Sequence, residues 1–193
     1  MAIVGKDIES LFCKTAFHRE SREIHELMYW RKIIVLYYLA LSVILIAIDQ
    51  ISKWLITVGM DVGGTIPLLP DIFHLTSIRN RGAAFSILWE QRGLLIVIAA
   101  VVSAFVLYYL KRIHQSNKSM AIGLSFILSG ALGNLIDRLL RAEVVDMFDL
   151  RLINFPVFNV ADCFVTVGVG CIIISNLRES RAQKEIDGMK PSN

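Results

Sequence analysis

Four long, uncharged, apolar runs constrain this chain more than any other feature. A segment needs about 20 mostly apolar residues to cross roughly 30 Å of hydrocarbon as a helix. The first run spans Ile33 to Ile48 and continues past Asp49 and Lys53 toward Val58. The second is Gly93–Leu110, the third Ser119–Ile136 and the fourth Cys163–Leu177, with Ile153–Ala161 before it also uncharged. Four such runs in 193 residues leave little chain for a soluble domain. Charged residues are only 19% of the chain, against about 25% in soluble domains. The net charge of +3 is small. No basic patch is interleaved with aromatics, which argues against nucleic-acid binding. The first run starts too late and runs too long for a cleaved signal peptide, and no small-residue cleavage site follows it.

Lysine and arginine set the orientation. Of the 20 in the chain, Lys53, Arg79, Arg81, Arg92, Arg138, Arg141 and Arg151 fall on one side of the membrane and the larger remainder on the other. That bias predicts cytoplasmic termini and external segments at about 59–92 and 138–161. Within the first of these, Gly63, Gly64, Pro67 and Pro70 break any helix, and the Ile, Phe, Leu and Thr between them predict short strands lying on the membrane surface. The chain thus divides into a cytoplasmic extension (1–32), a four-helix transmembrane region (33–177) and a polar, disordered cytoplasmic tail (178–193). The extension reads as a tail or surface helix without chemistry. Cys163 and Cys171 are separated by about 12 Å along one helix, too far for a disulfide. With Cys13, they read as small apolar packing residues, and no cysteine–histidine cluster points to a metal.

Charge beside hydrocarbon is costly, about 2.5 kcal/mol or more for an aspartate on insertion scales, so each such residue calls for a partner. Asp49 and Lys53 stand at i and i+4 on the first helix, as do Asp137 and Arg141 at the end of the third. Lys53 and Arg138 can also snorkel to the interface. Asp146 and Asp162 differ: neither has a cation within four residues. Two carboxylates in apolar sequence at one membrane level would share a proton if they met. One could then take a proton from water while the other donates to a carbonyl oxygen. Asn134 and Asn159 each precede an aspartate by three residues, which on a helix would let the amide orient the acid. Gly130, Ala131 and Gly133 would admit a close helix neighbour. The competing readings are a small proton-coupled transporter or channel subunit, and a structural assembly factor. Against the transporter, the middles of all four runs are uncharged.

These residues resemble those of lipoprotein signal peptidase, or signal peptidase II. The matching stretches are Asp49-Gln50-Ile51-Ser52-Lys53, Asn80-Arg81-Gly82-Ala83-Ala84-Phe85, Gly130 to Arg138, Val144-Val145-Asp146 and Phe158-Asn159-Val160-Ala161-Asp162. The resemblance implies four transmembrane helices with a small extracytoplasmic β-cradle, built largely from residues 59–80, in the bacterial inner membrane. It implies an aspartic endopeptidase without cofactor or metal. The enzyme would remove the signal peptide from diacylglyceryl-modified prolipoproteins just before the lipidated cysteine. It implies Asp146 and Asp162 as the catalytic pair. Asp49, Lys53, Asn80, Gly82, Asn134, Asp137, Arg138, Asn159 and Ala161 match its supporting and substrate-binding positions. Arg81 could reach membrane phospholipid or serve as a plain interfacial anchor. Two features depart from the family pattern, namely the long leader before the first helix and Cys163, where a small or hydroxylated residue is more usual.

Overall fold

The computed structural model describes residue 29 and residues 33–82, 91–113 and 117–188. The extension at 1–32 apart from Tyr29, with Cys13, and Ala83, Ala84 and Phe85 of the Asn80 stretch lie outside the described residues. The apolar runs form four helices: α1 (Ile33–Gly59), α2 (Arg92–Ile113), α3 (Lys118–Leu140) and α4 (Val160–Gly188). All four are long and apolar enough to cross a membrane, and a helix is the one open-ended form that satisfies its own backbone there. In α3, 56% of the most apolar window is buried within the protein, against 22%, 22% and 17% in α1, α2 and α4. Thus α3 is the core helix, and the others leave most of their apolar windows uncovered by the protein. Its ends are closed by side chains. Asn117 Oδ1 accepts from Met120 N–H at 2.9 Å, while Arg92 donates to the terminal carbonyls of Arg138 (2.7 Å) and Leu139 (3.0 Å). These contacts supply donors and acceptors that a helix end otherwise lacks.

Small residues set the spacing of α3 and α4. A Cβ on Gly123 would stand 2.8 Å from the Gly168 carbonyl oxygen, and one on Gly168 would stand 2.6 Å from that of Gly123. Higher up, a Cβ on Gly130 would collide with the Ala161 carbonyl, and one on Gly133 would meet Asp49 Oδ2 at 2.5 Å. The expected close approach at Gly130 and Gly133 is therefore used twice, once by a helix and once by a carboxylate.

Residues 178–188 do not form the disordered tail that their polarity suggested. They continue α4 to Gly188. Arg178, Glu179, Arg181, Ala182, Gln183, Lys184 and Glu185 are all strong helix formers extending an existing helix, which avoids the cost of nucleation.

A three-stranded antiparallel sheet, ordered β1 (Thr65–Leu69), β2 (Phe73–Asn80), β3 (Val144–Leu150), covers one end of the bundle. The third strand was not foreseen. Val144, Val145, Asp146 and Met147 are all buried, so the segment lacks the alternation that marks a half-buried strand. Its pairing places Asp146 opposite Ile78 and Val144 opposite Asn80, past an irregularity between Leu75 and Ile78. Val145 and Met147 pack on Ile56 of α1, with Met60, Leu75, Phe148 and Val160 around them.

The start of α4 is recessed. Ala161 N–H donates to Asp49 Oδ1 at 2.9 Å, so α4 begins at the level of Asp49 and Gly133. From there α1 continues to Gly59 and α3 to Leu140, rises of roughly 15 Å and 10 Å. The sheet and the segment before α4 occupy this notch.

Gly123→Ala should lower stability by about 1–3 kcal/mol, the usual cost of overpacking. Gly170→Ala on α4, whose Cβ meets nothing within 4 Å, should cost far less. Thermal unfolding of the two variants in detergent checks the contrast.

Candidate active site

Lys53 lies at the base of the site. Its ammonium is 2.9 Å from Asp49 Oδ2 and 2.7 Å from Asp137 Oδ2, and all three side chains are fully buried. Arg141 closes the set at 2.9 Å from Asp137 Oδ1. Gln50 Nε2 donates to Asp49 Oδ2, Asp137 Oδ1 and the Gly133 carbonyl at 3.2–3.3 Å. Both expected i, i+4 pairs are present, but Lys53 does not snorkel. It turns inward to join α1 to α3, because Asp137 offers a second carboxylate where lipid offers none.

The third ligand of Lys53 leads to the acids. Its ammonium donates to Asn134 Oδ1 at 2.9 Å, and the amide of Asn134 then donates through Nδ2 to Asp162 Oδ1 at 2.9 Å. Asn134 therefore orients Asp162 rather than Asp137. Ion-pairing already occupies Asp137, whereas Asp162 presents a free acceptor from the facing helix.

Asn159 and Asp162 form a reciprocal helix cap. Asp162 N–H donates to Asn159 Oδ1 and Asn159 N–H donates to Asp162 Oδ2, each at 3.1 Å. This is the capping-box arrangement, not two residues on one helical face. It places the Asp162 carboxylate in the first turn of α4, where the helix dipole favours negative charge. The Nδ2 of Asn159 donates to Asp146 Oδ1 at 2.6 Å and to Asn134 Oδ1 at 3.2 Å. One residue thus touches both acids.

Asp146 is held from the other side by Asn80, whose Nδ2 donates to Oδ2 at 2.8 Å. Asn80 Oδ1 accepts from Gly82 N–H at 2.9 Å, and the Gly82 carbonyl accepts from Arg138 Nη2 at 3.2 Å. Asp146 is only 2% exposed. Burial pushes its carboxyl up from the usual range to about 6, against the lowering effect of the Asn80 and Asn159 hydrogen bonds. The neighbouring Asp162 charge adds to the rise.

Asp146 and Asp162 line a cavity of about 820 Å³ with Asn80, Asn134, Arg138 and Asn159. The cavity extends along Cys163, Thr166 and Val167 of α4 and past Phe155 and Pro156. It therefore combines a polar floor with an apolar flank. Ala161 is fully buried behind it, where a larger side chain would meet the space at Gly133. Asp49, Lys53 and Asp137 are joined to each other, and among the described residues their hydrogen bonds run to Asp162 through Asn134 and to the start of α4 through the Ala161 amide. Gln50 was missed in the sequence, though its place within Asp-Gln-x-x-Lys was visible. The Asn-x-x-Asp signature of the cap was also visible, ahead of an apolar run.

With that geometry in hand, the chain can be compared with known proteins. A family profile described as "Signal peptidase (SPase) II" matches residues 41–178. A lipoprotein signal peptidase of Brevibacillus brevis is 45% identical over 139 residues, which cover 72% of this chain and 93% of that protein. A solved bacterial membrane enzyme, determined by the in meso method at 2.3 Å, superposes with a TM-score of 0.72 at 33% identity. That match covers 81% of this chain and 94% of the other. A second such structure, at 1.9 Å, gives 0.64 at 33% identity, covering 73% and 92%.

Asp137→Asn removes one charge from a buried ion set and should cost about 3–5 kcal/mol. Asp146 is held by amides rather than cations, so Asp146→Asn should cost much less. Unfolding of both purified variants in detergent distinguishes the two roles.

Proposed function

The chain belongs to the signal peptidase II family, and on that premise we propose that Asp146 and Asp162 are its catalytic pair. It is a membrane-spanning bacterial peptidase, and the family supports cleavage of signal peptides from prolipoproteins. That sets aside the transporter and the assembly factor. The substrate carries a diacylglyceryl group on its cysteine, and the bond cut is the one just before that cysteine. The site faces the extracytoplasmic side of the inner membrane, with both termini in the cytoplasm, as the lysine and arginine bias argues.

One observation carries the assignment: Asn159 touches both carboxyls within one cavity that has a polar floor and an apolar flank. Acyl chains and an apolar signal segment fit the flank. The scissile amide then lies over the acids. Asp162, at a helix N-terminus and accepting from Asn134, is the ionised partner that takes a proton from water. Asp146, in its buried setting, holds the shared proton and donates it to the carbonyl oxygen. Water attack gives a tetrahedral intermediate with no covalent bond to the enzyme. Collapse expels the amine, which takes up a proton from the pair. Asn80, Gly82 and Arg138 border the site and are placed to hold the substrate backbone. Asp49, Lys53, Asp137 and Ala161 hold α1, α3 and α4 in register beneath it. Arg81, exposed and paired with Glu143 at 3.3 Å, is read as the residue that would meet a lipid phosphate by exchanging that partner.

Purified Asp146→Asn and Asp162→Asn should fold, yet each should cleave a diacylglyceryl prolipoprotein at least about 100-fold more slowly, the lower end for loss of a general acid or base. Near-normal cleavage by either folded variant would remove the pair. The protonated form of Asp146 is lost as pH rises through about 6. Cleavage should therefore fall with rising pH on the alkaline side, with an apparent pKa that belongs to the pair. A pH–rate profile flat from 5 to about 8 would contradict the proton assignment.

A further inference from the structure

The far end of the sheet carries an exposed apolar tip, one member of which, Phe155, also borders the cavity. A 3-10 turn, Arg151–Ile153, follows β3, and beside it lies the turn joining β1 to β2. The Arg151 and Leu152 amides donate to the Ile72 carbonyl at 3.0 and 3.4 Å, so the two turns are one unit. From this unit Leu152 (68%), Ile153 (65%), Leu69 (55%), Ile72 (44%) and Phe155 (44%) project with large exposed areas. Side chains of this size in so small a region mark an interaction surface.

We infer that this tip, Leu69, Ile72, Leu152, Ile153 and Phe155, is immersed in the outer lipid leaflet and anchors the sheet beside the cavity. Three observations argue for lipid as the occupant. The first is depth. The Phe155 ring packs edge-on against Phe158, and Phe158 packs on Phe148. Phe158 directly precedes the cap of α4, whose start lies roughly 10–15 Å below the outer ends of α1 and α3. The tip is thus tied to an element set down among the membrane-spanning helices. The second is the backbone. The amides of Ile72, Arg151, Leu152, Asn154 and Phe155 all have internal carbonyl partners, as entry into an apolar medium requires. The third is charge. Arg151, the cation of this turn, is turned back onto Asp149 (3.0 Å) and Thr65 (3.3 Å), so at the tip the exposed Asp71 of the β1–β2 turn is the charge that must stay at headgroup level while the side chains around it enter the lipid.

The test places a tryptophan at the tip. Leu152→Trp is made in a chain whose three native tryptophans are phenylalanine, and the protein is reconstituted in phosphatidylcholine–phosphatidylglycerol vesicles. Emission should be blue-shifted, and lipids brominated high on the acyl chain should quench it about twofold or more, as expected for a side chain buried ~5–10 Å in the interface. Ile153→Trp is the second reporter should the first fail to fold, with the same expectation. A water-like emission maximum in vesicles would overturn the inference. So would a blue shift that brominated lipid leaves unquenched, because protein, either a second copy or another part of this chain, would then cover the tip. The readout requires no cleavage, so its outcome is independent of the catalytic assignment.

Discussion

Lys53 is the charge on which the arrangement of helices depends. A lone ammonium enclosed among membrane helices would be expensive. Here it is flanked by two carboxylates, with a guanidinium beyond, so two cations balance two anions. Each partner comes with a different consequence. Asp49 brings α1 to the start of α4 through the Ala161 amide. Asp137 fixes α3 against α1. Asn134, on the remaining side of the ammonium, passes the constraint to Asp162. Burying the ion set thus stiffens the floor of the cavity, because no member can move without exposing another's charge to an apolar surrounding.

The two acids are held differently from that floor. Neither has a cation in hydrogen-bond contact among the described residues, and both are oriented by carboxamides. Neutral donors fix the direction of each carboxyl without placing a positive charge against it. Their settings differ: Asp146 is buried on β3, an edge strand of the sheet, and Asp162 lies in the first turn of α4. The notch left by the late start of α4 brings a polar floor and an apolar flank together in one cavity.

Much of this was legible in the sequence, for identifiable reasons. The spans follow from length and the absence of charge, and the pairs Asp49–Lys53 and Asp137–Arg141 follow from helical spacing. The singling out of Asp146 and Asp162 rested on the lack of nearby cations, and the structure brings both to one cavity. What escaped was long-range or masked by composition. Nothing local connects Lys53 to Asp137. The strand Val144–Leu150 is buried on both faces at its start, so its pattern carries no period of two. The segment after Leu177 looked like a tail because polarity was given more weight than helix propensity. The Asn159–Asp162 spacing was noticed but assigned to a helical face, although a proline three residues ahead of Asn159 and an apolar run after Asp162 mark a helix beginning.

The carboxamide of Asn159 is, in effect, a ruler. Its oxygen faces the Asp162 amide and its nitrogen faces Asp146 and Asn134, so the plane of the group cannot flip without turning every contact repulsive. The gap between β3 and the first turn of α4 is then set by the width of one planar group of fixed bond lengths, rather than by soft packing. Glutamine would lengthen the ruler by a methylene. Aspartate would keep its length, lose both N–H donors and bring a third negative charge between two others. The residue type at this position is dictated from both ends, and the spacing between Asp146 and Asp162 is written into its covalent geometry.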